Sequence, residues 1–152
     1  MPWSVKQQQR LAFEEKLFGL YMPTCVFYNK TGATYVEGVV RTSGNNEYRG
    51  RVCLSPHYPD EKPNLYVVTP HTLWMFGNHG TINALGTSHA FHVYNNGQDG
   101  CVKICHTIDW DPSMTCVKVF QKLHLWLEAY ESHLRTGRSI NECLAQKDYL
   151  QA

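Results

Sequence analysis

Three short segments of alternating character, Thr24–Tyr28, Thr34–Thr42 and Tyr48–Leu54, follow one another through the turn-forming sequences NKTG and SGNN. Spacing this tight predicts an antiparallel meander. In the third segment Tyr48, Gly50, Val52 and Leu54 alternate with Arg49, Arg51 and Cys53. One face is thereby turned to a core and both arginines to water. The proline-bearing loop SPHYPDEKP then leads into NLYVVTP, a fourth strand that Pro70 ends.

Helical patterns flank the meander. Ser4 followed by Gln7 has the spacing of a capping box, and Phe13, Leu17, Leu20 and Tyr21 fall on one predicted helical face before Pro23. From Met114 onward Val119, Leu123, Leu127, Tyr130 and Leu134 keep a helical period until Gly137. Ser139 with Glu142 repeats the capping spacing, which predicts a short terminal helix to about Leu150. Between them, His71 to Asn96 loses periodicity over a stretch longer than most compact connections, as a functional flap or a mobile segment would. The class expected is α+β.

At 152 residues the chain suits one domain, spanning 1–152. With 43% hydrophobic and 18% charged residues and a formal charge of +1, it has the composition of a globular protein. Its basic residues are scattered, so a nucleic-acid partner is not expected. No stretch reaches the ~18 apolar residues of a membrane span, and MPWSVKQQQR lacks the apolar core of a signal peptide. A cytoplasmic location is the expectation, in which the six cysteines stay reduced thiols. Cys25, Cys53 and Cys116 read as small core hydrophobes.

The chemistry is expected between Gly97 and Thr115, in GQDGCVKICHTIDWDPSMT. Two cysteines, Cys101 and Cys105, follow a glycine-rich turn and precede a tryptophan-proline run, a setting for an exposed nucleophile. Trp110 and Pro112 suit an anchor between loop and helix, and Ser113 or Asp111 suits a helix cap. The spacing C-x-x-x-C-H is a poor zinc pattern and no second cluster completes it, so neither metal nor cofactor is expected.

In order and spacing these motifs resemble the ubiquitin-conjugating enzyme family. YRGRVCLSPHYPDEKPNLYVVTP is similar to that family's Tyr-x-Gly strand, Tyr-Pro loop and strand ending in Thr, and HVYNNGQDGCV followed by WDPSMT to its His-Pro-Asn, Asn-x-Gly, cysteine and Trp-Ser-Pro-x-x-Thr series. WLEAYESHLRTG is more like the bacterial branch found in antiphage operons with cGAS-like cyclic-oligonucleotide synthases. The resemblance implies an N-terminal helix, a four-stranded antiparallel meander, an irregular cysteine-bearing segment and C-terminal helices. It also implies a transferase that holds a protein C-terminus as a cysteine thioester and passes it to lysine or another amine. The donor implied is a cGAS-like nucleotidyltransferase, supplied by a separate activating enzyme where one exists.

Two thiols compete for the carrier position. Cys101 lies nine residues after His92 and nine before Trp110, against family spacings of about ten and eight, and is the first choice. Cys105 is the second choice, favoured by the preceding Ile104. His92, His106 and Asp109 are candidates to orient or deprotonate an incoming amine. Tyr94 stands where the family's motif has asparagine, so Asn95, Asn96 or backbone N–H groups of the Gly97–Gly100 turn are the candidates to stabilise an oxyanion.

Overall fold

A computed structural model describes residues 2–95 and 98–151. Ser4 caps the first helix, α1 (Val5–Tyr21), through the reciprocal capping box with Gln7. Strands β1 (Val26–Tyr28), β2 (Tyr35–Arg41), β3 (Glu47–Cys53) and β4 (Asn64–Thr69) form the meander. The sheet continues beyond it. The cysteine-bearing segment, expected to be irregular, supplies β5 (Val93–Tyr94) and β6 (Val102–Ile104), giving six antiparallel strands in the order β1-β2-β3-β4-β6-β5. The four-strand expectation is corrected because Val102 and Ile104 alternate with Lys103 over only three residues, too short a run to stand out as a strand.

Helix α2 (Cys116–Thr136) crosses one face of the sheet, and α3 (Ile140–Gln151) packs on α2. Thr115, rather than Ser113 or Asp111, accepts the Lys118 N–H to cap α2, and Gly137 closes it in the left-handed region at φ 79°. Asp111 instead accepts the Ser113 N–H in the turn before. Val36, Val52, Leu65, Val67, Val102 and Ile104 from the sheet join Phe120, Leu123 and Leu127 of α2 in one buried cluster. Gly50 lets the two layers meet, since an added Cβ there would overlap Leu123.

Helix α1 is rotated from the expected face. Leu11, Glu14 and Phe18 are buried and Leu17 is half-buried, while Phe13, Leu20 and Tyr21 are exposed. The charged Glu14 sits in the middle of the inward stripe, which hides that stripe from a hydropathy pattern. Phe18 fixes the helix by meeting Phe27 and Phe120 edge-on, with ring centres 5.3 and 5.7 Å apart.

The aperiodic stretch after Pro70 is packed. Leu73 and Ile82 are buried, and Trp74 is held by the Tyr130 hydroxyl, which donates to its carbonyl at 2.7 Å. Among the described residues no helix is long and apolar enough to cross a membrane.

Candidate functional site

Strand β6 carries a thiol beyond each end. Cys101 precedes it and Cys105 follows it, and the structure gives the two different surroundings. The turn before Cys101 is pinned from the aperiodic stretch. Asn83 donates one amide hydrogen to the His71 carbonyl at 2.8 Å and another to the Gly100 carbonyl at 3.0 Å, and its own oxygen accepts the Leu73 N–H. His71 donates in turn to the Asp99 carbonyl at 2.5 Å. Asp99 and Gly100 both adopt positive φ, which the hydrogen bonds hold in place.

Cys101 is 7% exposed, which corrects the expectation of an exposed nucleophile at this position. Burial pushes its thiol up; the Arg51 guanidinium pulls it down and Asp99 pushes it up again. Arg51 thus does more than face water. It pairs with Glu37 at 2.5 Å, lies over the Tyr35 ring, and is the cation felt by Cys101 and by the half-buried Cys53. Cys116 is fully buried as expected, whereas Cys25 and Cys53 are only half-buried.

Cys105 lines an open cleft of about 560 Å³ between the β5–β6 edge, α2 and α3. Its N–H donates to the His92 carbonyl at 2.8 Å, so the two residues face each other at the end of the ladder. His92 has φ 53° and donates from Nε2 to Asn141 Oδ1 at 2.7 Å. His106, buried in the wall of the same cleft, donates from Nε2 to the Pro63 carbonyl at 2.8 Å. Desolvation by burial lowers its pKa, which keeps the ring neutral near pH 7.

Of the six residues singled out from the sequence, Cys105, His92 and His106 therefore share a cleft that Cys101 does not line. Asp109 is exposed and also lies outside it. Asn96 falls outside the described residues. Asn95 braces a turn instead of facing a thiol, its oxygen accepting the Thr87 N–H at 3.1 Å while its own N–H donates to Thr87 Oγ1.

Sequence reasoning missed Asn83, Asn141 and Lys62. The Lys62 ammonium donates to the Tyr94 hydroxyl at 2.7 Å and to the Thr107 carbonyl at 2.9 Å, tying the Tyr-Pro loop to β5 and to the segment after β6. No local pattern marks these residues, because each acts on segments 10 to 49 residues away. Trp110, expected to anchor its loop against the following helix, donates from its indole to the Pro59 carbonyl at 2.7 Å and so holds the Tyr-Pro loop.

Among the described residues no group of three or more histidine, cysteine or acidic side chains could hold a metal ion. Chemically, the segment offers two thiols, one buried within the field of a guanidinium and one in a cleft with a backbone-anchored imidazole. No protein-family model, curated protein or solved structure matches the chain.

Proposed function

We propose that the chain is a ubiquitin-conjugating-enzyme-like transferase of bacterial antiphage defence, which carries a protein C-terminus on Cys101 and passes it to lysine or another amine. The donor in this reading is the C-terminus of a cGAS-like nucleotidyltransferase, activated by a separate enzyme, and the reaction uses no cofactor. What supports the reading is the succession of helix, meander, thiol-bearing segment and long helix, with Cys101 set directly behind a turn that Asn83 pins.

Chemically, the Cys101 thiolate attacks the activated carbonyl carbon, a C–S bond forms and the activating group leaves. An amine then attacks the same carbon, a C–N bond forms, and the C–S bond breaks to return the thiolate. A thiolate leaves readily, so the thioester stays reactive toward amines. Asp99, exposed beside the thiol, takes the amine proton in this scheme. Asn83 acts as a positioning residue, since both its amide hydrogens hold backbone carbonyls.

The burial of Cys101 and the Lys62-bound Tyr94 in the place of asparagine favour a second reading, a non-catalytic binding module of the same fold. One experiment separates the two. The chain is incubated with the activated donor and run on a denaturing gel with and without reducing agent. A reducible adduct lost in Cys101→Ala and kept in Cys105→Ala supports the transferase; exchanged outcomes move the carrier to Cys105. Donor binding with no adduct on either thiol establishes the module instead.

A further inference from the structure

A second groove runs between the end of α1, β2 and the outer side of α2, with a volume of about 580 Å³, and meets the Cys105 cleft at Lys122 and Leu125. Its apolar lining comes from Tyr21, Met22, Cys25, Val39, Val40 and Phe120. Tyr21 and Val39 stay 66% and 45% exposed, and Leu20 beside them 71%. Leu20 and Tyr21 are α1 residues that a hydropathy pattern assigns to the core, and with Val39 of β2 their exposure marks an interaction surface rather than scattered apolar residues.

The rim has one sign of charge. Arg41, Lys118, Lys122 and His124 line the groove, and among the described residues no aspartate or glutamate does. Arg41 is already paired with Glu47, and His124 lies 3.5 Å from Glu128. The ammonium groups of Lys118 and Lys122, four residues apart on an exposed side of α2, make no hydrogen bond or ion pair among the described residues. Two unengaged ammonium groups over an apolar floor are complementary to carboxylates flanking a large apolar side chain.

We infer that this groove docks an acidic segment of a partner protein, one that seats an apolar anchor on the Met22–Phe120 floor and sets carboxylates against Lys118 and Lys122. Neither Cys101 nor Cys105 lines the groove; Lys122 also lines the Cys105 cleft, whereas Val39 lines the groove and not that cleft, so a Val39 variant tests docking apart from the thiol chemistry.

The test uses a fluorescent peptide of alternating glutamate and leucine, a lysine–leucine counterpart, and vesicles of phosphatidylglycerol. The glutamate peptide should bind the full chain, weaken as salt is raised, and lose about tenfold or more in affinity with Lys118→Glu/Lys122→Glu. Val39→Ser should weaken it with the charges intact, and Phe13→Ser, outside the groove, should not. Binding indifferent to the charge reversal, equal binding of the lysine peptide, or no peptide binding overturns the proposal. Retention on the vesicles that the charge reversal abolishes, in the absence of peptide binding, assigns the groove to a lipid surface instead.

Discussion

The carboxylate of Glu14 accepts the backbone N–H of Cys116 at 2.9 Å, although the two residues lie 102 positions apart. A side chain of α1 thus caps the first turn of α2. The same carboxylate accepts the Tyr58 hydroxyl at 2.8 Å and the Arg10 guanidinium at 3.0 Å, and is fully buried. Arg10 also donates to the carbonyls of Pro112 and Met114, so the tryptophan-proline run is tied to α1 just before the start of α2. Paired and fully hydrogen-bonded, this buried charge positions the end of the thiol segment.

Glu14→Ala should therefore lower stability by about 3 kcal/mol, since it leaves the buried Tyr58 hydroxyl and the Cys116 helix N–H without their acceptor and the partly buried Arg10 guanidinium without its carboxylate. Glu14→Gln keeps one acceptor oxygen and should fall between the two. Urea unfolding measures both. A loss below about 1 kcal/mol for the alanine variant would mean that the network contributes little beyond its geometry.

Gly50→Ala places a methyl group against the buried Leu123 and 3.4 Å from Phe120 Cε1. Overpacking of this kind costs about 1–3 kcal/mol. In a Leu123→Ala background the same change should cost less, because the truncated side chain leaves room. Additive losses in the double variant would show that the two sites do not meet as described.

The neutral state of buried His106 makes stability depend on pH with a defined sign. Its folded pKa lies below the ordinary value, so the unfolded chain takes up the proton first as pH falls. The contribution is complete above about pH 6.5, the unfolded value, and is lost as pH drops through the folded one. His106→Gln keeps a donor for the Pro63 carbonyl and cannot titrate. Its unfolding free energy should fall less steeply between pH 7 and 5 than that of the parent chain, and equal slopes would refute the assignment.

Asp99→Asn tests the proposed proton acceptor. In the transferase reading, loading of Cys101 should stay within about twofold of the parent, while discharge of the adduct to free lysine should slow by about tenfold or more. Single-turnover discharge followed on a gel measures it. Equal discharge rates would remove Asp99 from the mechanism.

Local patterns made the secondary structure legible because they act over a few residues. The Ser4–Gln7 capping box, the alternation through β3, the Gly137 stop and the Ser139 contact with Glu142 were all present in the chain as written. The inward face of α1 was not, since a buried Glu14 looks polar until Cys116, Tyr58 and Arg10 arrive to pair it. Strands of two and three residues were hidden for a similar reason: β5 and β6 exist through pairing with each other and with β4, not through propensity of their own.

The sequence by itself determined which segments form helices and the meander, and which residues bear thiols and imidazoles, because those follow from residue type and periodicity. Only the tertiary structure decided which of them meet. It buried Cys101 beside Arg51, set Cys105 opposite His92, gave His92 to Asn141 of α3, and left Tyr21 and Val39 open beneath two lysines. Each of these depends on hydrogen bonds or packing between residues far apart in the chain, and a pattern read over a dozen positions carries no information about partners at that distance.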